Sequence, residues 1–196
     1  MATPTRDTRS RIRDAAATLF RREGYAATGL KRIASESAAP FGSIYHFFPG
    51  GKEQLAEDVV RTAGAAYGHM VAALLNSVAD PLESLANAFD RAAANLEAAD
   101  YADACPIATL ALEVASSNET LRVATAQVFD GWVTEGTEWF ARWAPDRATA
   151  RWLCQSMIML LEGAFVLSRA ARSPEPLHAA GRAMVELARP VVSRGT

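Results

Sequence analysis

The sequence is short of the residues that build metal centres and disulfide frameworks. Its 196 residues include two cysteines, Cys105 and Cys154, and three histidines, with no CxxC pair and no close His spacing. A zinc site needs such spacing, so we expect no metal and no cofactor. Two distant cysteines also fit a reducing compartment, which predicts a cytoplasmic location.

Long uncharged stretches are missing as well. No segment approaches the roughly 18–20 uncharged apolar residues that a membrane-spanning helix needs. The start of the chain, Met1 to Asp14, carries charges throughout and lacks the apolar segment of a secretory signal peptide. We therefore expect neither a membrane partner nor a secretory signal.

The residue groupings of common enzymes are also absent. His46, His69 and His178 are scattered, and no Ser or Cys nucleophile has a visible His and Asp set. The run Gly50-Gly-Lys-Glu53 fails as a phosphate-binding loop, because Glu53 stands where that motif needs Ser or Thr. The sequence therefore predicts a protein that is not an enzyme.

The charge is unevenly distributed along the chain. Residues 1–52 hold nine Lys and Arg against four Asp and Glu, which gives +5. The remainder holds 11 basic and 18 acidic residues, which gives −7. A basic segment on an acidic body favours a nucleic-acid partner at one end only. The alternative is a basic surface without a partner.

Helical periodicity is what the sequence has in abundance. Apolar residues from Ile12 to Phe20 recur at helical spacing, and Gly24 ends that stripe. Thr28 is a candidate N-cap for a second helix, and a third runs from Phe41 to Phe47. Six longer helices follow, over about 51–78, 81–99, 105–117, 118–143, 145–172 and 174–189. We predict an all-α fold of nine helices.

The first three helices have the layout of a helix-turn-helix unit, in which the third helix enters the major groove. Ser43, Tyr45 and His46 offer hydrogen-bonding groups, while Ile44 and Phe48 anchor the helix inward. The predicted DNA-binding residues are Thr28, Lys31, Gly42, Ser43, Tyr45, His46 and Lys52.

Residues 8–58 resemble the N-terminal signature of TetR-family repressors. Thr28 is followed by Ile33-Ala34, a turn, Gly42-Ser-Ile-Tyr45 and Lys52 at the family's spacing. The resemblance implies phosphate contacts from Thr28, Tyr45 and Lys52, and groove contacts from Ser43 and His46. Three residues depart from the signature: Ala38 replaces the turn glycine, Phe41 a polar or basic residue, and Phe47 a frequent His or Tyr.

The remainder of the chain is rich in aromatic residues, which suit a mostly apolar ligand pocket. Cys105-Pro-Ile-Ala-Thr109-Leu-Ala-Leu-Glu113 resembles the sixth helix of the lincomycin-resistance repressors, a branch that implies an aromatic, drug-like effector. The predicted ligand-binding residues are Phe89, Thr109, Glu113, Phe129, Trp132 and Met157. Core packing of the aromatics, and a capped or solvated Glu113, are the alternatives.

Two apolar stripes near the end of the chain predict a homodimer interface of four helices. These stripes are Leu153, Leu160, Leu161 and Ala164, and Leu177, Ala180, Met184 and Leu187. A dimer would present two DNA-binding units to successive major grooves.

The sequence thus predicts a ligand-responsive repressor that binds double-stranded operator DNA as a homodimer and leaves it when a small effector binds. Residues 1–52 form the predicted DNA-binding domain and residues 53–196 the ligand-binding and dimerisation domain. Activation of transcription, and redox sensing through Cys105 and Cys154, remain alternatives.

Overall fold

A computed structural model describes residues 7–103 and 105–192, and it is all-helical over those ranges. The first six residues, part of the segment tested for a secretory signal, lie outside them. The helices are α1 (Thr8–Glu23), α2 (Leu30–Glu36), α3 (Phe41–Phe47), α4 (Gly51–Leu75), α5 (Pro81–Ala98), α6 (Pro106–Val114), α7 (Glu119–Phe140), α8 (Arg147–Ala171) and α9 (Glu175–Val192). The predicted fold class is confirmed.

Short polar side chains set where several helices begin. Asp80 accepts hydrogen bonds from the backbone N–H groups of Leu82 and Glu83, at 2.7 and 3.2 Å, with Pro81 at the first helical position. The side-chain oxygen of Asn118 accepts from Leu121 at 2.9 Å. These interactions satisfy N–H groups that have no partner inside the helix.

Several helix boundaries differ from the sequence prediction, among them the ends of α6 and α7, which lie about three residues earlier. Helix α4 ends at Leu75 instead of Val78, because the Asn76 side chain donates to the Ala72 carbonyl oxygen at 2.7 Å and closes the helix early. Helix α2 is capped by Gly29, not by Thr28, and has no side-chain cap. Pro190 was expected to follow α9 but lies within its last turn, where only one backbone hydrogen bond is forfeited.

The chain divides into two compact units, which differ from the predicted boundary after Lys52. Unit 1 comprises residues 1–65 and 106–128, and unit 2 comprises residues 66–105 and 129–196. Within unit 1, α1 packs against α2, α3 and α6. Its core includes Ile12, Phe20, Ile33, Ile44 and Phe48. Helix α6 therefore belongs to the same compact unit as the helix-turn-helix.

The core of unit 2 is built on α9, which packs against both α5 and α8. Close approach requires glycine at Gly181, where an added Cβ would lie 2.8 Å from the Cβ of Phe89. Phe89 and Leu177 are both fully buried.

Helix α8 is long and apolar enough, by length and composition alone, to cross a membrane, which the sequence analysis did not expect. Nine of its residues are buried inside the protein, including Leu153, Met157 and Phe165. A core helix of a folded bundle passes the same test, so α8 is, with α9, a core helix of unit 2.

Candidate DNA-binding surface and ligand cavities

Helix α3 presents one polar face to solvent and buries the other. Ile44 within α3 and Phe48 directly after the helix are fully buried, as the sequence predicted. Tyr45 is 49% exposed, His46 is exposed and Ser43 is partly exposed. Hydrogen-bonding side chains on an anchored short helix are what reading a major groove requires.

Two further features open this surface to a close partner. An added Cβ at Gly42 would meet nothing within 4 Å, so the backbone there is accessible. Phe41 is exposed and its ring contacts that of Tyr45, with centroids 5.8 Å apart. An apolar ring therefore stands where the family signature has a polar residue. Lys31 is also exposed.

Lys52, at the start of α4, is held by the loop after α1. Its ammonium group lies 4.3 Å from the centroid of the Tyr25 ring and donates to the Ala26 carbonyl oxygen at 3.4 Å. Burial lowers the pKa of Lys52, and the Glu113 carboxylate partly offsets this effect. Burial likewise raises the pKa of the Tyr25 hydroxyl, with Glu53 and Glu113 adding to it.

Thr28 does not present its hydroxyl to solvent. The residue is fully buried, and its hydroxyl donates to the Gly24 carbonyl oxygen at 2.7 Å. The predicted phosphate contact of the Thr28 hydroxyl is therefore corrected: this group closes the turn between α1 and α2.

The carboxylate of Glu113 is hydrogen-bonded within unit 1 and does not face a ligand cavity. Its two carboxylate oxygens accept the backbone N–H groups of Tyr25 and Ala26, each at 2.6 Å. Glu113 lines neither of the unit 2 cavities described below, so its predicted ligand contact is corrected to the capping alternative. Tyr25 and Glu113 are 88 positions apart in the sequence, so no local pattern could indicate this contact.

Part of the positive charge of residues 1–52 is neutralised by contacts within the protein. Arg9 pairs with Asp58 at 2.9 Å, and Arg32 lies 3.5 Å from Glu23. Arg11 donates to the Ser37 carbonyl oxygen at 3.1 Å. The exposed basic surface is therefore smaller than the count of charges suggests.

Unit 2 contains a cavity of about 140 Å³, here called cavity A. Its walls come from α4, α7 and α8. Aromatic rings form much of the lining: Tyr67, Trp132, Trp139 and Phe140. The rings of Tyr67 and Trp132 lie 5.3 Å apart.

A second cavity of about 150 Å³, cavity B, is lined from α4, α5 and α8. Both cavities share the same four side chains as lining: Tyr67, Val71, Met157 and Leu161. These four side chains therefore lie between the two cavities.

The predicted ligand residues are only partly brought together. Trp132 lines cavity A, Phe89 lines cavity B, and Met157 lines both. Phe129 packs edge-on against Trp132, with centroids 5.3 Å apart, and does not line either cavity. Thr109 belongs to unit 1 and lines neither. Sequence reasoning missed Tyr67, Trp139 and Glu162, although all three lie on helices that it predicted.

Two carboxylates, Glu135 and Glu162, also line cavity A. Burial raises the pKa of Glu162, an effect that a side-chain hydrogen bond with Cys105 partly offsets. Burial also raises the pKa of Tyr67 well above its usual value, with contributions from Cys105 and Glu162. The apolar rings therefore surround an ionisable cluster.

The predicted dimer stripes lie mostly inside one subunit, which is a correction. Six of the eight residues are buried in the single chain, namely Leu153, Leu161, Ala164, Leu177, Ala180 and Met184. Leu160 and Leu187 are partly exposed. A residue already buried within its own subunit has no surface left for a partner.

A different face of α8 is apolar and exposed. Trp152 is 48% exposed, Met159 65%, Val166 58% and Leu167 61%. These four residues, here called the α8 outer face, recur at helical spacing. Exposed apolar patches of this kind mark interaction surfaces.

Two family profiles match the sequence. The profile described as bacterial regulatory proteins of the tetR family matches residues 12–68. The profile described as the C-terminal domain of LmrA/YxaF-like transcriptional regulators matches residues 81–183.

Individual relatives agree with these profiles. The chain is 30% identical to the HTH-type transcriptional regulator LmrA of Bacillus subtilis over 171 residues, 87% of this chain and 91% of the relative. It is 37% identical to the uncharacterized HTH-type regulator YxaF of the same organism over 126 residues, 64% of this chain and slightly under two thirds (66%) of the relative. The fold matches that of the regulatory protein TetR from Rhodobacter sphaeroides, with a TM-score of 0.81 at 19% identity, over 92% of this chain and 98% of that one.

Proposed function

The chain belongs to the TetR family of bacterial transcriptional regulators, in its LmrA/YxaF-like group, and we propose that it is a repressor released from its operator by a small molecule bound in unit 2. Membership of the family makes it a DNA-binding transcriptional regulator and not an enzyme. Repression, release by a ligand and the class of that ligand are the proposed parts.

The exposed polar face of α3 is the observation that carries the DNA-binding part of the proposal. Ser43 and His46 would approach the groove, while Tyr45, Lys31 and Lys52 would lie near phosphates. Because the Lys52 ammonium is already oriented by Tyr25 and Ala26, a phosphate would meet a preorganised cation.

The repressor is proposed to act as a homodimer joined through the α8 outer face. Four large apolar side chains exposed on one helix would be covered by the same face of a second subunit, which is the self-complementary arrangement of a two-fold dimer. Two DNA-binding units would then meet major grooves about one helical turn apart, or a multiple of it.

Release would follow from a population shift. A ligand in cavity A or B would favour subunit conformations in which the two DNA-binding units are wrongly spaced for the operator. Helix α4 supports this coupling, because Lys52 lies in its first turn and Tyr67 and Leu75, farther along, line cavity A. The ligand can shift the balance only by its differential affinity for the two conformations.

Fluorescence anisotropy with the DNA upstream of the protein's own gene tests the DNA-binding part. We expect salt-sensitive binding that Tyr45→Ala weakens at least about tenfold, since a hydrogen bond to a charged group such as a phosphate contributes about 1.5–3 kcal/mol. Leu112→Ala, at an exposed apolar residue of α6, is the matched control and should leave affinity unchanged. Equal affinities of the two variants would exclude α3 as the recognition helix.

Reporter transcription separates repression from activation. A promoter placed under this DNA should be more active in a strain that lacks the protein, and less active when the protein is restored. The opposite change would identify an activator and leave the DNA-binding part intact.

Sedimentation velocity tests the dimer. Val166→Arg should convert the dimer to monomers, because a charge placed in an apolar interface must be desolvated without a partner. Leu112→Arg introduces the same charge at another exposed apolar residue and should remain dimeric. A dimeric Val166→Arg variant would place the interface elsewhere.

A further inference from the structure

We propose that cavity A binds an aromatic cation, a flat ring system that carries a protonated amine or a quaternary nitrogen. The proposal deepens the function proposed above, because it assigns a chemical class to the effector, and it rests on cavity A being the effector site. Its three supports are the rings, the charges and the volume of the cavity.

The rings supply surfaces that attract a cation as well as an apolar body. Trp132 and Tyr67 meet at 5.3 Å with their planes 39° apart, so their faces are inclined to each other. Trp139 and Phe140 complete the aromatic part of the lining. The faces of indole and phenol rings carry negative electrostatic potential and bind ammonium groups, most strongly when water is excluded.

The charges of the lining are of one sign. Glu135 and Glu162 are acidic, and the lining residues that the structure describes include no Lys, Arg or His. The nearby guanidinium of Arg142 is already engaged, because it donates to the Asn76 side-chain oxygen at 3.0 Å and lies over Trp143 at 4.5 Å. The charge of Arg151 acts on Cys154, but Arg151 is not a lining residue, so a ligand meets two carboxylates and no cationic side chain in the lining itself.

Glu162 gives the site its preference for positive charge. A carboxylate removed from water is unfavourable unless a cation or several hydrogen bonds compensate it. Among the residues that the structure describes, the side-chain partner of Glu162 is the Cys105 thiol, and no cation contributes to its pKa. The raised pKa of Glu162 agrees with this incomplete compensation. A bound ammonium group would supply the missing charge, and a neutral or anionic ring would not.

The volume fits a small ring system with room to extend. An apolar cavity of about 150 Å³ is sufficient for a benzene-sized molecule, and cavity A has about 140 Å³. Met157 is one of the four side chains that separate it from cavity B, and methionine changes conformation easily. Movement of Met157 would admit two or three fused rings.

Isothermal titration calorimetry of the full-length protein with three matched naphthalenes tests the proposal. The probes are 1-naphthylmethylammonium, 1-naphthylmethanol and 1-naphthylacetate, which share the ring and differ in charge. We expect the ammonium probe to bind at least about tenfold more tightly than the alcohol, and the carboxylate probe to bind most weakly.

Charge-neutral variants identify the residues responsible. Glu162→Gln should lower the affinity for the ammonium probe about tenfold and change that for the alcohol less than about threefold. Glu97→Gln, at an exposed carboxylate of α5, is the control and should change neither. The double variant Glu135→Gln/Glu162→Gln should bind the ammonium and alcohol probes alike. Binding of the alcohol confirms that each variant is folded.

Three results would overturn the proposal: equal affinities of the three probes, an unchanged preference in the double variant, or no binding of any probe. Anisotropy of the DNA complex in the presence of the ammonium probe separates this proposal from the function proposed above. Tight, Glu162-dependent binding that leaves DNA affinity unchanged would support the cation site and refute release by its occupant.

Discussion

Replacing Glu113 tests whether α6 is part of the DNA-binding unit. In the wild-type protein its carboxylate accepts hydrogen bonds from the backbone N–H groups of Tyr25 and Ala26, both at 2.6 Å. The same loop orients Lys52. Glu113→Ala would leave both N–H groups without their acceptor and would loosen the support of Lys52.

The magnitude follows from the two hydrogen bonds. A hydrogen bond to a charged group contributes about 1.5–3 kcal/mol when well buried. The Tyr25 bond is partly buried and the Ala26 bond is exposed, so solvent screening reduces the pair to about 2 kcal/mol in total. For a chain of this length that loss lowers Tm by roughly 4–8 °C. Glu113→Gln keeps one acceptor oxygen and should lose about half as much.

Thermal unfolding followed by circular dichroism measures the loss, and anisotropy with the upstream DNA measures its effect on function. We expect Glu113→Ala to lower both Tm and DNA affinity. Glu119→Ala removes a fully exposed carboxylate of α7 and should shift Tm by less than about 1 °C. If the Glu113 and Glu119 variants unfold at the same temperature, the hydrogen bonds to Tyr25 and Ala26 do not stabilise unit 1 and the reasoning fails.

Three further predictions concern unit 2. Gly136→Ala should lower the free energy of unfolding by about 1–3 kcal/mol in urea titrations, because the new Cβ would overlap the sulfur of Cys154. Gly131→Ala, on the same helix with nothing within 4 Å of the new Cβ, should instead raise it by about 0.5–1 kcal/mol; changes of equal sign would contradict the packing. Burial raises the pKa of Cys154 to about 11 from the usual 9.0, so its alkylation by iodoacetamide near pH 8, followed by peptide mass spectrometry, should be about 100-fold slower than that of a free cysteine, and a comparable rate would refute the burial. Because burial raises the pKa of Glu162 above 4.5, its protonated form favours the folded state, and this stabilisation is lost as pH rises from about 4.5 through the raised value. The stability advantage of Glu162→Gln over the wild type should therefore grow as pH rises from about 4.5 through the raised pKa, and a constant difference would show that Glu162 is not desolvated.

The DNA-binding end of the molecule could be predicted because its determinants are local in sequence. Ile12 to Phe20 mark one face of α1, and Ile44 and Phe48 anchor α3 within a few residues of the exposed Tyr45. Asp80-Pro81 likewise marks the start of α5 through backbone groups two and three residues away. Patterns of this kind depend on helix periodicity and capping alone.

The rest depended on contacts between distant parts of the chain. The role of Glu113 is set by Tyr25, and no local pattern connects them. Helix α8 is apolar on more than one side, so periodicity did not distinguish the buried Leu153 and Leu161 from the exposed Met159 and Val166. The two sides differ only in whether the rest of the subunit covers them, which is a matter of tertiary packing.

The inclusion of α6 in unit 1 limits how this regulator can be rebuilt. A chimaera that exchanged residues 1–52 alone would carry α3, the proposed recognition helix, but leave behind the acceptor for the loop at Tyr25 and Ala26. An added Cβ at Gly24 would lie 3.1 Å from the same carboxylate, so the donor segment must also keep its glycine. We therefore expect operator specificity to be transplantable only as a discontinuous segment, residues 1–65 together with 106–128, and we expect recombination between relatives to meet the same constraint.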